Sequence, residues 1–281
     1  MARRNWLGGT GFILLLLLAA EAVEAKVHAY FGVSGGLSLS GRFADFKNQT
    51  CLNPTANGFD LWSHLIGSND TPYERCGQVI DNYLFNGPDT DSGGAWGLKL
   101  GLFGDSLPHF GLEFYYFERY PDVKRQNVAA AGPRTTALFP ILPFKGTIEM
   151  DIEAVRTLSI AGVFRPFATA SKESLFSRIK PYFALGVGIT TMHMKEIRAY
   201  DSTGALAGKS VDYSTGIGVG FPLYAGIDFA LTDSIWLTTE YTFSQALGLN
   251  FDTLDSAGET LTHYTDHIFM VGIKFWLNGS L

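Results

Sequence analysis

The sequence predicts an all-β fold: an eight-stranded antiparallel up-and-down transmembrane β-barrel, preceded by a cleaved signal peptide. Three observations carry that reading. The first 25 residues have the layout of an export signal. Apolar residues then alternate with small or polar ones in eight separate segments. The connections between those segments are alternately long and short. Composition agrees: among 281 residues there are 32 Gly, 22 Phe and 12 Tyr, with 46% apolar and only 17% charged. That is enough apolar material to bury a core, in a mixture suited to strands rather than disorder. A formal charge of −6 lacks the basic excess that nucleic-acid binding needs.

In the export segment, Arg3 and Arg4 form the positive start, Phe12 to Ala20 the apolar run, and Ala20, Ala22 and Ala25 the small residues near the cut. Cleavage after Ala22 or Ala25 fits this pattern. The apolar run is shorter than the ~20 residues of a spanning helix, and no later stretch reaches that length without charge. Residues 26–281 therefore read as one barrel domain.

The first segment sets Phe31, Val33, Leu37 and Leu39 opposite Tyr30, Gly32, Ser34, Gly36, Ser38 and Ser40. The second sets Trp96, Leu98, Leu100 and Leu102 against Gly97, Lys99 and Gly101. The third sets Phe110, Leu112, Phe114 and Tyr116 against Gly111, Glu113, Tyr115 and Arg119. The fourth sets Ile148, Met150, Ile152, Leu158, Ile160 and Phe164 against Glu149, Asp151, Glu153, Thr157 and Ser159, with Arg156 as a charged misfit on the apolar face. The fifth sets Phe183, Leu185, Val187 and Ile189 against Tyr182, Ala184, Gly186 and Gly188. The sixth runs from Ile217 to Phe229, the seventh from Ile235 to Ser244, and the eighth from Asp266 to Phe275. Segments of about ten residues are long enough to cross a bilayer at a tilt.

Long connections are expected at about 41–93, 120–147, 198–210 and 247–263, and short turns at about 104–109, 166–178 and 231–234. The non-apolar face is Gly, Ser, Thr and scattered charge. An apolar exterior with a polar interior argues against a soluble lipocalin-like barrel. Buried charge in a narrow barrel must pair, so Lys99, Glu113, Arg119, Asp228, Glu240 and Lys274, with Glu153 and Arg165, are expected to form an interior ion-pair network. Eight strands enclose a space that side chains fill, which argues against a wide pore.

With its export signal, eight segments and final alternating strand His267-Ile268-Phe269-Met270-Val271-Gly272-Ile273-Lys274-Phe275-Trp276, the chain resembles the eight-stranded outer-membrane barrels of Gram-negative bacteria, the opacity-protein and outer-membrane-protein-A type. The resemblance covers essentially all of 27–277. It implies an outer-membrane location with the long loops outside and both termini in the periplasm. It also implies contact with outer-membrane lipids, lipopolysaccharide among them, recognition of the last strand by the barrel assembly machinery, and a monomer. This fold hosts adhesins, enzymes and structural proteins, so it does not choose among them.

Residue chemistry adds expectations for the loops. Cys51 and Cys76, in an oxidising compartment, are expected to form a disulfide that staples loop 41–93. Lys124, Arg125, Arg134 and Lys145 are placed to meet lipopolysaccharide phosphates. His263, Asp266 and His267 form the tightest His–carboxylate cluster, but on a strand Asp266 faces away from both histidines, so they read as rim residues. Pro222 marks a local bulge in the sixth segment. The glycine runs lack the helix and Lys-Ser/Thr of a phosphate loop. Trp96, Trp236 and Trp276, with Tyr116 and Tyr241, are expected in aromatic girdles. No cofactor or metal spacing is evident. The function expected is a scaffold barrel whose outer loops serve adhesion, envelope interaction or membrane stability. The alternatives are an outer-leaflet lipid-modifying enzyme or protease, and a small-solute channel.

Overall fold

The computed structural model describes residues 27–51, 79–85, 87–131, 144–168, 178–252 and 258–277. The signal segment, Cys76 and Arg134 lie outside them. The chain forms β1 (Val27–Cys51), β2 (Val79–Phe85), β3 (Asp89–Thr90), β4 (Gly93–Gly104), β5 (Phe110–Arg119), β6 (Val123–Ala131), β7 (Phe144–Phe164), β8 (Ile179–Asp201), β9 (Leu206–Ala230), β10 (Ile235–Asp252) and β11 (Gly258–Trp276). Strands β1, β4, β5, β7, β8, β9, β10 and β11 pair in that order, all antiparallel, and β11 pairs back onto β1. The ring is closed, so no strand edge is left bare in it.

The short turns at 105–109 and 231–234 fall where the sequence places them, while most of 166–178 lies outside the described residues. The long loops do not. Much of the described part of 41–93, 120–147, 198–210 and 247–263 is strand, and the β8–β9 connection is only 202–205. Beyond the ends of β4 and β5, the wall is continued by β2, which pairs with β1 and β6, and by β6, which pairs with β7. The seam between them is tied by Asp91 N–H to Asp122 O and by the Gln126 amide, which bonds both N–H and C=O of Asp89. The barrel therefore has a second storey above the first, at the end away from the chain termini.

The two storeys have opposite polarity. In the lower one Val33, Leu37, Leu112, Leu158, Phe183, Leu185, Val187, Leu223 and Val271 are exposed on the outer wall, forming an apolar belt. In the upper one Phe43, Ile148, Met150, Ile152, Met192, Met194, Leu249, Phe251 and Tyr264 pack inside, and charged residues such as Asp151 and Glu153 face out. Register shifts make the switch in β1, between Ser38 and Ser40, in β7, between Asp151 and Ala154, and in β10, between Ala246 and Leu249, where Gly248 takes φ 64°. β8 and β11 bring Met192, Met194 and Tyr264 inside with no change of phase, and the β8 shift between Met194 and Glu196 comes only beyond them. One extra residue turns every later side chain through the wall.

This corrects the fourth segment. Ile148, Met150 and Ile152 point inward, whereas Leu158 and Ile160 point outward, because Ala154 and Val155 are both buried across the shift. Glu153 accordingly faces out, 3.6 Å from His193, and is not part of the interior. Pro222 is also corrected. Its side chain is buried, and β8–β9 pairing lapses beside it, but the register is the same from Leu185↔Leu223 to Gly188↔Gly220. The missing N–H removes ladder bonds without inserting a residue.

Candidate functional site

The interior of the belt storey holds a paired ionic network. Lys99 lies 2.9 Å from Glu113 and also bonds Glu240. Four phenols converge on these two carboxylates: Tyr30 and Tyr224 donate to Glu113, while Tyr115 and Tyr182 donate to Glu240 at 3.1 and 2.7 Å. Lys99 also sits over the rings of Tyr115 and Tyr224, at 4.0 and 3.9 Å. Nearer the termini, Asp228 holds Lys274 at 2.9 Å and Arg165 at 3.0 Å. Towards the upper storey, Arg119 meets Asp266 at 2.6 Å, and Ser38 donates to that carboxylate at 2.8 Å.

Of the eight residues expected in the interior, Lys99, Glu113, Arg119, Arg165, Asp228, Glu240 and Lys274 are buried and Glu153 is not. The seven fall into three groups rather than one, and Asp266 completes the pairing. Glycine makes room for the phenols. A Cβ on Gly101 would stand 2.0 Å from the Tyr30 ring, and one on Gly226 would meet the Tyr182 hydroxyl. Beside Lys99 and Glu240 the space left is a cavity of about 10 Å³, about one water. At the terminal end the guanidinium of Arg165 lies among Phe103, Trp276, Tyr30 and Trp236, at 4.3, 4.9, 5.7 and 5.9 Å from their ring centres. Trp236 and Trp276 are thus buried caps inside the barrel, not girdle residues. Trp96 and Tyr241 do face outward.

The rim histidines do not form a catalytic dyad. Asp266 is wholly buried inside. His267 faces out and shares a 2.5 Å hydrogen bond with the Tyr241 hydroxyl. His263 accepts from Gly248 N–H at 3.0 Å. The alternation of a strand separates the acid from both imidazoles, as the spacing implied.

Among the described residues, the basic loop positions Lys124, Arg125 and Lys145 each have separate surroundings, and Arg134 lies outside them. Lys124 pairs with Asp91 at 3.1 Å on the outer face of β6. Arg125 stacks on Tyr200 at 3.8 Å and donates to Gly204 O at 3.3 Å, bracing the β8–β9 hairpin. Lys145 is exposed on β7. Cys51 ends β1, and its pairing with Cys76 lies outside the described residues.

Outside the wall of the upper storey runs an ionic ladder, Glu149–Arg198–Glu196–Lys209. A recess of about 350 Å³ beside it is lined by Asp122, Val123, Lys124, Met150 and Asp151 among others. In the adjacent hairpin, the Asp201 carboxylate accepts from Thr203 Oγ1 at 2.6 Å and from the amides of Thr203 and Ala205 at 2.8 and 3.0 Å. These bonds, the Thr203 hydroxyl first, hold its carboxyl below the usual range. The contribution is present above the ordinary Asp pKa and is lost as pH falls through the depressed one. Protection of the Thr203 and Ala205 amides, taken against their intrinsic exchange rates, is expected to fall only in acid below the ordinary Asp range. Loss of protection already near neutrality would contradict this.

No family model matches the chain, and no curated protein matches it. Among solved structures it is similar to Neisserial surface protein A, with 8% identity and a TM-score of 0.38, covering 88% of this chain and 97% of that one. It is also similar to the outer membrane protease OmpT of Escherichia coli, with 10% identity, a TM-score of 0.41, and 89% and 97% of the two chains covered. A third is Ail, the attachment invasion locus protein of Yersinia pestis, with 11% identity, a TM-score of 0.34, and coverage of 88% and 99%.

Proposed function

We propose that this chain is a Gram-negative outer-membrane barrel whose lower storey is a sealed transmembrane scaffold and whose upper storey is a rigid platform at the cell surface. Its work there is adhesion, envelope interaction or membrane stability. The observation that carries the reading is the reversal of polarity along one closed wall. The apolar belt suits hydrocarbon, and a charged exterior over an apolar core suits water. The described side chains pack inward in both storeys, which favours a scaffold over a solute pore. The termini lie at the belt end, so insertion from the periplasm leaves the upper storey outside. The belt surrounds the whole ring, which suits a monomer, and the last strand is open to reading by the assembly machinery before it closes on β1. Lipopolysaccharide is the lipid such a surface meets.

The test is fractionation of expressing cells, followed by electrophoresis with and without boiling. The protein is expected in outer membranes, to run faster unboiled, and to lose only upper-storey segments when whole cells are treated with protease. Recovery from the soluble periplasm with no mobility shift would overturn the reading. Discrete single-channel steps in a planar bilayer would instead support a channel.

A further inference from the structure

At the top of the apolar belt one guanidinium stands on the lipid-facing row. Arg156 follows the outward positions Leu158, Ile160, Gly162 and Phe164 of β7 and is 41% exposed. Directly across the ladder, Glu118 of β5 is its register partner. The Glu118 side chain is only 9% exposed and takes Arg156 Nε and Nη2 at 3.2 and 3.1 Å, both on one oxygen. Its other oxygen accepts from the Tyr116 hydroxyl at 2.9 Å. Trp96 packs on Tyr116 with ring centres 5.4 Å apart and donates to the Tyr120 hydroxyl at 3.2 Å. Trp96 and Tyr120 are 36% and 43% exposed.

We propose that this corner is a binding site for the phosphate of a membrane lipid, with Arg156 as the binding residue and Glu118 as the residue that positions it. A guanidinium carries five donors in a planar fork. Glu118 occupies one edge from the buried side, which fixes the plane and leaves the outward edge to make the paired bonds that phosphate accepts. The height suits the ligand, since Arg156 is the first charged residue above Leu158 and Ile160, where a bilayer changes from hydrocarbon to headgroup. The wall below suits its chains. Gly162 lies opposite Leu112 on one side and Leu185 on the other, both exposed, and a Cβ on it would meet nothing within 4 Å. The missing side chain leaves a dent in the belt three outward positions below the guanidinium, past Leu158 and Ile160. Trp96 and Tyr120 flank the headgroup position, as amphipathic rings do at this level.

The site rests on the membrane reading above, because it needs a bilayer around the belt. The purified full chain in non-ionic detergent would be incubated with dipalmitoyl phosphatidic acid or with dipalmitoylglycerol, which lacks the phosphate, and lipid retention read by native mass spectrometry. The wild type is expected to retain one phosphatidic acid and to release the diacylglycerol. Arg156→Gln should lower retention by about tenfold, the effect of losing one charge-assisted pair, and Arg156→Lys should restore part of it. Equal retention of both lipids, or no effect of Arg156→Gln, would overturn the site. Displacement of the lipid by millimolar inorganic phosphate would do the same, by showing that free phosphate is the ligand. The unboiled mobility and vesicle partitioning of Arg156→Gln should match the wild type. A wild-type chain that does not partition into vesicles would overturn the membrane reading along with the site.

Discussion

Asp228→Leu should destabilise the folded barrel by about 3–5 kcal/mol, the cost of leaving buried charge without its partner. The carboxylate is fully buried and is shared by Lys274 and Arg165, which are themselves 1% exposed. Neither cation can turn to water, because Arg165 is enclosed by Phe103, Tyr30, Trp236 and Trp276. The measurement is urea unfolding in detergent micelles, followed by loss of the fast unboiled band. Glu149→Gln is the matched control. Its partner Arg198 lies on the outer wall with both side chains 38% exposed, and an exposed pair of this kind contributes about 1 kcal/mol or less. Equal stability of Asp228→Leu and the wild type would mean that the two cations find other partners, and the described pairing would be wrong.

The second large effect concerns the upper storey. Met150→Asp is expected to unfold or loosen that storey, whereas Asp151→Leu next to it should change stability by less than about 0.5 kcal/mol, as surface substitutions do. Met150 is 1% exposed within the apolar core. An aspartate there would be a buried charge without a partner, which costs several kcal/mol. Asp151 points away from the core on the same strand. Limited proteolysis should show early cleavage within β6–β8 for Met150→Asp while the belt storey keeps its mobility shift. An alternation carried unbroken from Leu158 back to Ile148 would predict the opposite, with Met150 facing out, so the pair of variants decides between the two phases.

Much of the belt storey was legible in the sequence because lipid and lumen act on every residue of a crossing strand. Phe183, Leu185, Val187 and Ile189 face out and Tyr182, Ala184 and Gly186 face in, as the alternation reads. Tyr115, Glu113 and Lys99 inside follow from the same rule. The partner of each charge was not legible. Pairing depends on the register of eight strands around the ring, and that brings Lys99 to Glu240 across 141 positions of sequence.

Arg119 illustrates the limit. Its inward side was readable, but its partner Asp266 read as a member of a rim cluster with two histidines that face the other way. Trp236 and Trp276 sat on inward positions of their strands, yet aromatic type alone suggested a girdle. Only closure of the ring places them over Arg165. The Glu118–Arg156 pair shows the same gap. Arg156 was visible as a misfit, and the signal that would have paired it is Glu118 at the mirrored end of the neighbouring segment.

What the sequence by itself determined is the period, the number of crossing strands and the apolar face within the belt, because these are local consequences of a two-residue repeat against hydrocarbon. The tertiary structure alone decided where that repeat changes phase. A register shift inserts one residue, has no composition of its own, and turns an outward row into an inward one. Whether Ile148, Met150 and Ile152 met lipid or core was therefore set by the shift beside Ala154 and by the strands across from it.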